Sequence, residues 1–298
     1  MKKQSFSKLI SYLKLIRVNS WIKNIFVFVP LLFSKHLLEL NFLIESLIGF
    51  AAFSLTSSFI YILNDIVDFK KDELHPFKKN RPIPSGKITT SEASILLTVL
   101  FMIVLLISFS MALGFVLMIW LYILINVAYT FYLKQKVLLD IFCIAAGFMI
   151  RVIAGALIIS VYISSWLILT TLFLSLFLAV MKRRVEYATN PNASEQRAVL
   201  KDYSLNFFDL IIAVTATGVI LCYALYTVAE RTIIVFRTEY LVFTTLFVIF
   251  GIFRYIYVVF KKNIGENVFE IVLKDLPTIL NTILYVVSLF YIIYFLNQ

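Results

Sequence analysis

The feature that most constrains this chain is a series of continuous apolar runs, each about 20 residues long, separated by short charged patches. A run of that length is what an α-helix needs to cross the hydrocarbon core of a bilayer. The chain is 61% hydrophobic and only 15% charged, a balance outside the range of soluble globular domains. Because the runs are continuous rather than alternating, a transmembrane barrel is excluded. The sequence therefore predicts an all-α polytopic membrane protein.

Nine membrane-spanning helices are predicted from these runs. No linker is long enough to separate soluble domains, so we expect residues 1–298 to form a single transmembrane helical domain. The basic, amphipathic N-terminal stretch has no long apolar segment with a small-residue cleavage site, and we do not interpret it as a cleaved signal. The predicted spans are 18–36, 40–67, 90–110, 113–133, 137–160, 162–185, 206–229, 238–261 and 277–297.

The positions of the 27 Lys and Arg residues predict the orientation of these helices. Only Lys35, Arg231 and Arg237 fall in the segments on one side, Arg151 lies within a span, and the others lie on the opposite side. Positive residues mark the cytoplasmic side. We therefore expect a cytoplasmic-membrane protein with the N-terminus inside, the C-terminus outside and the polar motifs facing the cytoplasm. Topology thus accounts for most of the net charge of +10, and without a recognition motif nucleic-acid binding is not expected.

The most polar stretch, residues 61–86, begins in the last turns of the second span. Asn64, Asp65, Asp68 and Asp72 end that span, and at about 100° per residue the three aspartates share one helix face. Carboxylates at this spacing repel one another unless a cation lies between them. Mg²⁺ prefers oxygen ligands together with substrate phosphate oxygens. We interpret these four residues as a Mg²⁺ site that holds a diphosphate, under the basic loop that follows. A solvated helix end is the simpler alternative.

Two charged residues of the fifth predicted span are further candidates. Asp140 opens this span, after Tyr129 and Lys134, and is a site residue or a helix cap. Arg151 lies near the bilayer centre, where an arginine is costly unless it faces a cavity or a partner. The sequence leaves open whether Arg151 faces a ligand or a structural ion pair.

Two more motifs lie at predicted membrane boundaries. Lys182, Arg183, Arg184 and Glu186 close the sixth span, where a basic run either anchors the helix or binds a second phosphate group. Lys23 and Asn24 follow an interfacial Trp21. They are unusual for a plain anchor, although a lysine can also extend its side chain to the interface.

With these motifs in place, the chain resembles the UbiA superfamily of intramembrane prenyltransferases. The resemblance rests on N-D-x-x-D-x-x-x-D followed by His and R-P-x-x-S-G. Members that act on quinones usually carry a second motif, D-x-x-x-D, whereas here Asp140 is followed four residues later by Ile144. The first pattern comprises Asn64, Asp65, Asp68, Asp72, His75, Arg81, Pro82, Ser85 and Gly86.

Four other segments resemble the decaprenyl-phosphate phosphoribosyltransferase branch of that superfamily. Two positions depart from the branch, because Val18 replaces its usual proline and Met181 its usual glycine. Neither change removes a charged group. The segments are WIKN (21–24), YTFYLKQKVLLD (129–140), GFMIRVIAG (147–155) and KRRVE (182–186).

The resemblance implies a nine-helix UbiA-type bundle with Mg²⁺-dependent transferase activity. A 5-phosphoribosyl group would move from phosphoribosyl diphosphate (PRPP) to a polyprenyl phosphate, releasing diphosphate, for the synthesis of cell-envelope glycan precursors. Asp65, Asp68 and Asp140 are the implied catalytic residues. The expected substrate-binding residues are Lys23, Asn24, Asn64, His75, Arg81, Tyr129, Lys134, Arg151, Lys182, Arg183, Arg184 and Glu186.

Two alternatives stay open at this point. One is transfer of a prenyl group from a prenyl diphosphate to an aromatic acceptor, within the same superfamily. The other is a transporter or channel for anionic solutes, which would carry intramembrane charges along a path. The sequence also leaves a homo-oligomer open.

Overall fold

A computed structural model describes residues 2–74, 78–189, 198–262 and 274–296. Within these ranges the regular structure is entirely helical and contains no β-strand. The α-helices are α1 (Lys2–Leu15), α2 (Val29–Phe33), α3 (Leu40–Glu73), α4 (Thr90–Ser110), α5 (Leu113–Phe131), α6 (Leu139–Ile158), α7 (Ser165–Thr189), α8 (Leu205–Val228), α9 (Glu230–Phe236), α10 (Thr245–Lys262) and α11 (Leu276–Tyr294). Short 3₁₀ segments cover Val18–Phe28, Lys78–Asn80, Leu133–Gln135, Ala198–Asp202 and Tyr240–Thr244.

Nine helical segments of the described chain are long and apolar enough to cross a membrane, which confirms the predicted all-α polytopic fold. The first of them, Lys8–Phe33, joins the end of α1, a 3₁₀ segment and α2. The second is α3, whose 34 residues continue past the predicted end at residue 67. Asp68 and Asp72 therefore lie on the helix itself. The orientation of the termini stays a prediction.

The chain forms two compact units, each assembled from separate stretches. Because each unit is discontinuous, no single position in the sequence divides them. Whether the chain acts as one domain stays a prediction. The first unit comprises Met1–Leu32, His36–Lys134 and Ile150–Val161, and the second comprises Phe33–Lys35, Gln135–Met149 and Tyr162–Gln298.

The first unit is built around α3, whose buried face carries both apolar and small hydroxyl side chains. Phe53 packs edge-to-face on Phe115 and Tyr122, with ring centroids 5.8 and 5.7 Å apart. On the same helix, the hydroxyls of Ser54 and Ser57 accept hydrogen bonds from Asn24 Nδ2 at 3.1 and 3.3 Å. Small polar side chains on α3 thus hold the 3₁₀ segment of the first span against it, as is common where helices pack closely in membranes.

The second unit has its core between α7 and α8, with Phe177, Val180 and Phe208 buried there. At the start of α11, Asp275 accepts two hydrogen bonds of 2.9 Å from Arg254. The same carboxylate caps α11 by accepting the backbone N–H of Thr278 at 3.2 Å. The Arg254 hydrogen bonds hold the pKa of Asp275 well below its usual range. This ion pair ties α10 to α11.

In the first unit, α6 packs tightly against the first span at Gly155. A methyl group added to Gly155 would overlap the backbone carbonyl oxygen of Val27. A backbone atom has no rotamer by which it can move away. The position therefore requires glycine on steric grounds.

We predict that Gly155→Ala destabilises the protein by about 3 kcal/mol, at the upper end of overpacking costs. The matched control is Gly114→Ala in α5, where the nearest atom to an added methyl is Leu157 Cδ2 at 3.4 Å. That control should be neutral or slightly stabilising, since alanine restricts the unfolded chain. Thermal unfolding in detergent measures both variants. Equal melting temperatures for the two variants would contradict the prediction.

Candidate active site

Three aspartates near the end of α3 form the centre of the site in the first unit; we call Asp65, Asp68 and Asp72 the carboxylate cluster. Asp65 is 2% exposed and Asp72 4%. The side chain of Asp68 is 20% exposed. Such burial is costly for carboxylates unless each has a charged or hydrogen-bonding partner.

Three basic side chains supply these partners. The Arg17 guanidinium binds Asp65. Arg81 Nη1 lies 3.1 Å from Asp65 Oδ1 and 2.6 Å from Asp72 Oδ2. Lys134 Nζ lies 2.8 Å from both carboxylate oxygens of Asp68. Carboxylates at this spacing need cations between them, and in this structure basic side chains of the protein fill that role.

The backbone conformation of Arg17 is unusual. Arg17 adopts a left-handed conformation, with φ 52° and ψ 52°, between α1 and the 3₁₀ segment. A non-glycine residue in this region is uncommon, and such conformations concentrate at functional sites. The Arg17 guanidinium carbon lies 4.8 Å from the centre of the Tyr61 ring. The aromatic face and the Asp65 carboxylate together fix the arginine.

Arg81 lies in a hydrogen-bonded turn between α3 and α4. The backbone N–H of Ser85 donates to the Arg81 carbonyl at 2.9 Å. Gly86 completes the turn with φ 71°. Ile83 and Ile88, 6% and 1% exposed, anchor the turn in the core of the first unit. The turn therefore holds Arg81 in place over the carboxylates.

The residues predicted to hold Mg²⁺ suit that ion chemically. Asp65, Asp68, Asp72 and Asn64 offer only oxygen ligands, which Mg²⁺ prefers. Asn64 Oδ1 is buried and has no hydrogen-bond partner within the described residues. This is expected of an oxygen that would contact a bound ligand. Within the same residues, however, no three His, Cys, Asp or Glu side chains are grouped so as to hold a metal ion. Basic side chains already pair with the carboxylates.

A second polar network of the first unit is buried among the spans and centres on Arg151, which is 4% exposed. Arg151 Nε donates to Asn24 Oδ1 at 2.7 Å, and Arg151 Nη2 donates to the Tyr122 hydroxyl at 2.9 Å. Both partners are neutral groups. Arg151 and Asn24, predicted as substrate-binding residues, are thus brought together, and they join α6 to the first span.

The remaining predicted residues of the first unit lie close in sequence to the residues described above. Lys23 is half-buried in the 3₁₀ segment next to Asn24, and Tyr129 is half-buried near the end of α5. His75 lies outside the described residues, so its predicted contact with phosphate stays a prediction.

In the second unit, Asp140 and Arg183 form a fully buried ion pair; we call Asp140, Arg183, Glu186 and Tyr203 the arginine cluster. Arg183 Nε donates to Asp140 Oδ2 and Arg183 Nη1 to Glu186 Oε2, each at 2.8 Å. The Tyr203 hydroxyl donates to Asp140 Oδ1 at 2.9 Å and accepts the Leu138 N–H at 2.6 Å. Burial, together with the nearby Asp140 charge, raises the pKa of Tyr203 to about 12, so it stays a proton donor.

The neighbouring basic residues of α7 have different surroundings. Arg184 Nε donates to Asp209, and its guanidinium carbon lies 3.6 Å from the centre of the Phe260 ring. Lys182 is half-buried on the same helix. The structure thus brings Asp140, Arg183 and Glu186 into direct contact, and places Arg184 in a separate ion pair.

Comparison with known proteins identifies the family. The model of the UbiA prenyltransferase family matches residues 25–268. The chain belongs to the UbiA prenyltransferase family. As a UbiA protein it is a membrane-embedded transferase, in agreement with its predicted class and with the nine membrane-length helices found among the described residues.

Relatives and a solved structure agree with this assignment. The decaprenyl-phosphate phosphoribosyltransferase of Mycolicibacterium smegmatis is 32% identical over 219 residues, which are 72% of this UbiA chain and 69% of the relative. The enzyme of the same name from Mycobacterium tuberculosis is 29% identical and covers 72% of each chain. A UbiA homologue from Archaeoglobus fulgidus, bound to GPP and Mg²⁺, superposes with a TM-score of 0.70 at 15% identity, over 95% of this chain and 99% of that one.

Three residues in the polar networks of this UbiA protein were not predicted as candidates. Arg17 was not among the predicted site residues, although it precedes Trp21 by one helical turn in sequence. Tyr122 and Tyr203 carry the hydroxyls that complete the two buried networks. For Tyr122 the available signal was a tyrosine in an apolar run, because a buried hydroxyl usually has a polar partner.

Proposed function

We propose that the protein transfers a 5-phosphoribosyl group from PRPP to a polyprenyl phosphate, with Mg²⁺, and releases diphosphate. Two relatives with about 30% identity bear the name of that activity. The reaction joins a soluble, highly charged donor to an acceptor that is anchored in the bilayer. A membrane protein with buried carboxylates near helix ends suits both substrates.

The hydrogen bonding of Asp140 is the observation that favours PRPP over a prenyl diphosphate as the donor. A UbiA enzyme with two acidic motifs could use both for the metal ions of a prenyl diphosphate. Here both oxygens of Asp140 are bonded, one to Arg183 and one to Tyr203. The second unit therefore presents a carboxylate that is paired with arginine and tyrosine, which argues against its use as a second metal-binding motif for a prenyl diphosphate.

We assign the leaving diphosphate to the carboxylate cluster. Asn64, Asp65, Asp68 and Asp72 would hold Mg²⁺, and the ion would supply positive charge to the departing diphosphate. Arg81 and Lys134 already lie against these carboxylates and can donate to phosphate oxygens. We also assign His75 to this step.

The other predicted residues receive roles in binding. Lys182, Arg183 and Arg184 are assigned to phosphate groups, with Asp140 and Glu186 holding Arg183 in orientation. Lys23, Asn24, Tyr129 and Arg151 are assigned to substrate binding through the polar network of the first unit.

The chemistry needs no strong general base. An oxygen of the lipid phosphate attacks the anomeric carbon of PRPP, and the bond from that carbon to the diphosphate breaks. The electron pair leaves with the diphosphate. The nucleophile is already an anion at pH 7, because the second pKa of a phosphate monoester is about 6. The protein's contribution is to position the two anions and offset their repulsion.

We further propose that this chemistry occurs at the cytoplasmic face of the cytoplasmic membrane, where soluble PRPP is available. The proposal follows from the distribution of Lys and Arg between the two sets of connecting segments. The product would serve the synthesis of cell-envelope glycan precursors.

Two parallel assays on the purified protein test the proposed reaction. One contains labelled PRPP and polyprenyl phosphate, and the other contains a prenyl diphosphate and an aromatic acid, both with Mg²⁺. We expect labelled lipid in the first assay and no product in the second. Product in the second assay alone would overturn the proposal in favour of aromatic prenyl transfer.

A further inference from the structure

We propose that Lys134 is an internal counter-ion of Asp68 that makes metal binding depend on the diphosphate. When both ligands bind, the Lys134 ammonium leaves Asp68 for the diphosphate and Asp68 becomes available to the metal. The inference rests on the proposed function, because the diphosphate of the donor is the anion concerned.

The position of the ammonium is the first support. Lys134 Nζ lies 2.8 Å from both Asp68 oxygens, so it occupies the side of the carboxylate that a cation would share. The pair is largely buried, with side-chain exposures of 16% and 20%. Taking away the partner of a largely buried charge is unfavourable. A metal ion that displaced Lys134 from Asp68 would incur such a cost.

The rest of the carboxylate cluster gives a lone metal ion no better place. Arg81 contacts both Asp65 and Asp72, and Arg17 also binds Asp65. Three carboxylates thus face three side-chain cations. A divalent ion entering alone would face displaced positive charges, which repel it. A diphosphate brings more negative charge than the metal brings positive charge, and it gives the displaced cations a new partner.

The consequence is a linkage between two ligands. If the diphosphate strengthens metal binding by some factor, the metal must strengthen diphosphate binding by the same factor. Couplings of this kind are typically about 5–150-fold. Lys134 carries much of the coupling. Among the described contacts of the carboxylate cluster, Lys134 pairs with Asp68, whereas Arg17 and Arg81 pair with the other two aspartates.

The experiment measures Mn²⁺ binding to the purified full chain in detergent, from the electron paramagnetic resonance signal of free Mn²⁺. Titrations are made with and without methylenediphosphonate, a diphosphate that cannot be hydrolysed. The variants are Lys134→Met, which removes the charge at similar length, and Lys134→Arg, which retains it. Lys136→Met, in the same short connection, is the matched control.

In the unmodified protein, we expect the diphosphonate to tighten Mn²⁺ binding by about 10–100-fold. Lys134→Met should bind Mn²⁺ alone about tenfold more tightly than the unmodified protein, with little further gain from the diphosphonate. Lys134→Arg and Lys136→Met should keep the coupling.

Three results would overturn the inference. The first is an affinity of the unmodified protein for Mn²⁺ that the diphosphonate does not change, which would show that the two ligands are not coupled. This measurement does not depend on the folding of any variant. The second is weaker Mn²⁺ binding by Lys134→Met than by the unmodified protein, which would show that Lys134 favours metal binding rather than competing with it. If the protein turns over PRPP in either case, the proposed function stands. If Mn²⁺ binds neither alone nor with the diphosphonate, and PRPP is not turned over, both proposals fail.

Discussion

Asp68→Asn is expected to lower kcat/KM for PRPP about a thousandfold while the protein stays folded. The amide keeps the size of the side chain but removes the charge that would bind Mg²⁺ and that now pairs with Lys134. Asp65→Asn should have a similar effect on activity. Folding should survive in Asp68→Asn, because its side chain is the most exposed of the three aspartates.

The matched control is Glu73→Gln. Glu73 is an exposed carboxylate at the end of the same helix, one residue past Asp72, and has no role in the proposed site. Initial rates with labelled PRPP, together with size-exclusion profiles, report activity and folding for all three variants. Near-normal turnover by Asp68→Asn would refute its assignment to the metal and the diphosphate.

The second large effect concerns stability. Asp140→Ala should lower the free energy of unfolding by about 3 kcal/mol, because it removes the acceptor of a buried arginine. Arg183 is 1% exposed and Asp140 is fully buried. Glu186 retains its bond to Arg183, which keeps the loss at the lower end of the usual range for broken buried pairs. Thermal unfolding in detergent measures the change.

A double variant separates structure from substrate binding in the arginine cluster. Replacing both partners with apolar residues, Asp140→Leu with Arg183→Met, removes the unpaired charge and should restore most of the lost stability. We expect the restored protein to bind PRPP poorly, because Arg183 is assigned to phosphate. An active double variant would show that the pair serves folding alone, and a single variant as stable as the unmodified protein would contradict the buried-charge argument.

The helices were predictable because each depends on its own stretch of sequence. An apolar run of bilayer length must form an α-helix in lipid, since every backbone polar group has to be satisfied within the segment. The ends were less predictable. α3 continues past residue 67 to Glu73 because its polar last turns remain helical while their carboxylates pair with cations. Hydropathy alone cannot detect that stabilisation.

The site was predictable only in part, for the same physical reason. Helical periodicity placed three carboxylates on one face, and electrostatics required cations beside them. Periodicity could not identify the cations, because Arg17 lies 48 positions from Asp65 and Lys134 lies 66 positions from Asp68. Such pairs depend on tertiary packing. Asp140 likewise carries a signal of burial in its sequence, but its bond to Tyr203 spans 63 positions.

The length of α3 links this enzyme to the physical thickness of its membrane. At 1.5 Å per residue its 34 residues extend about 50 Å, against a hydrocarbon core of about 30 Å. Counted from Leu40, Asp65 lies about 38 Å along the helix. A thicker or thinner bilayer would therefore lower or raise these carboxylates relative to the plane of the lipid phosphates. Hydrophobic mismatch would thus be a variable of the proposed reaction, because the proposed lipid acceptor is held at a depth that the bilayer sets and the protein does not.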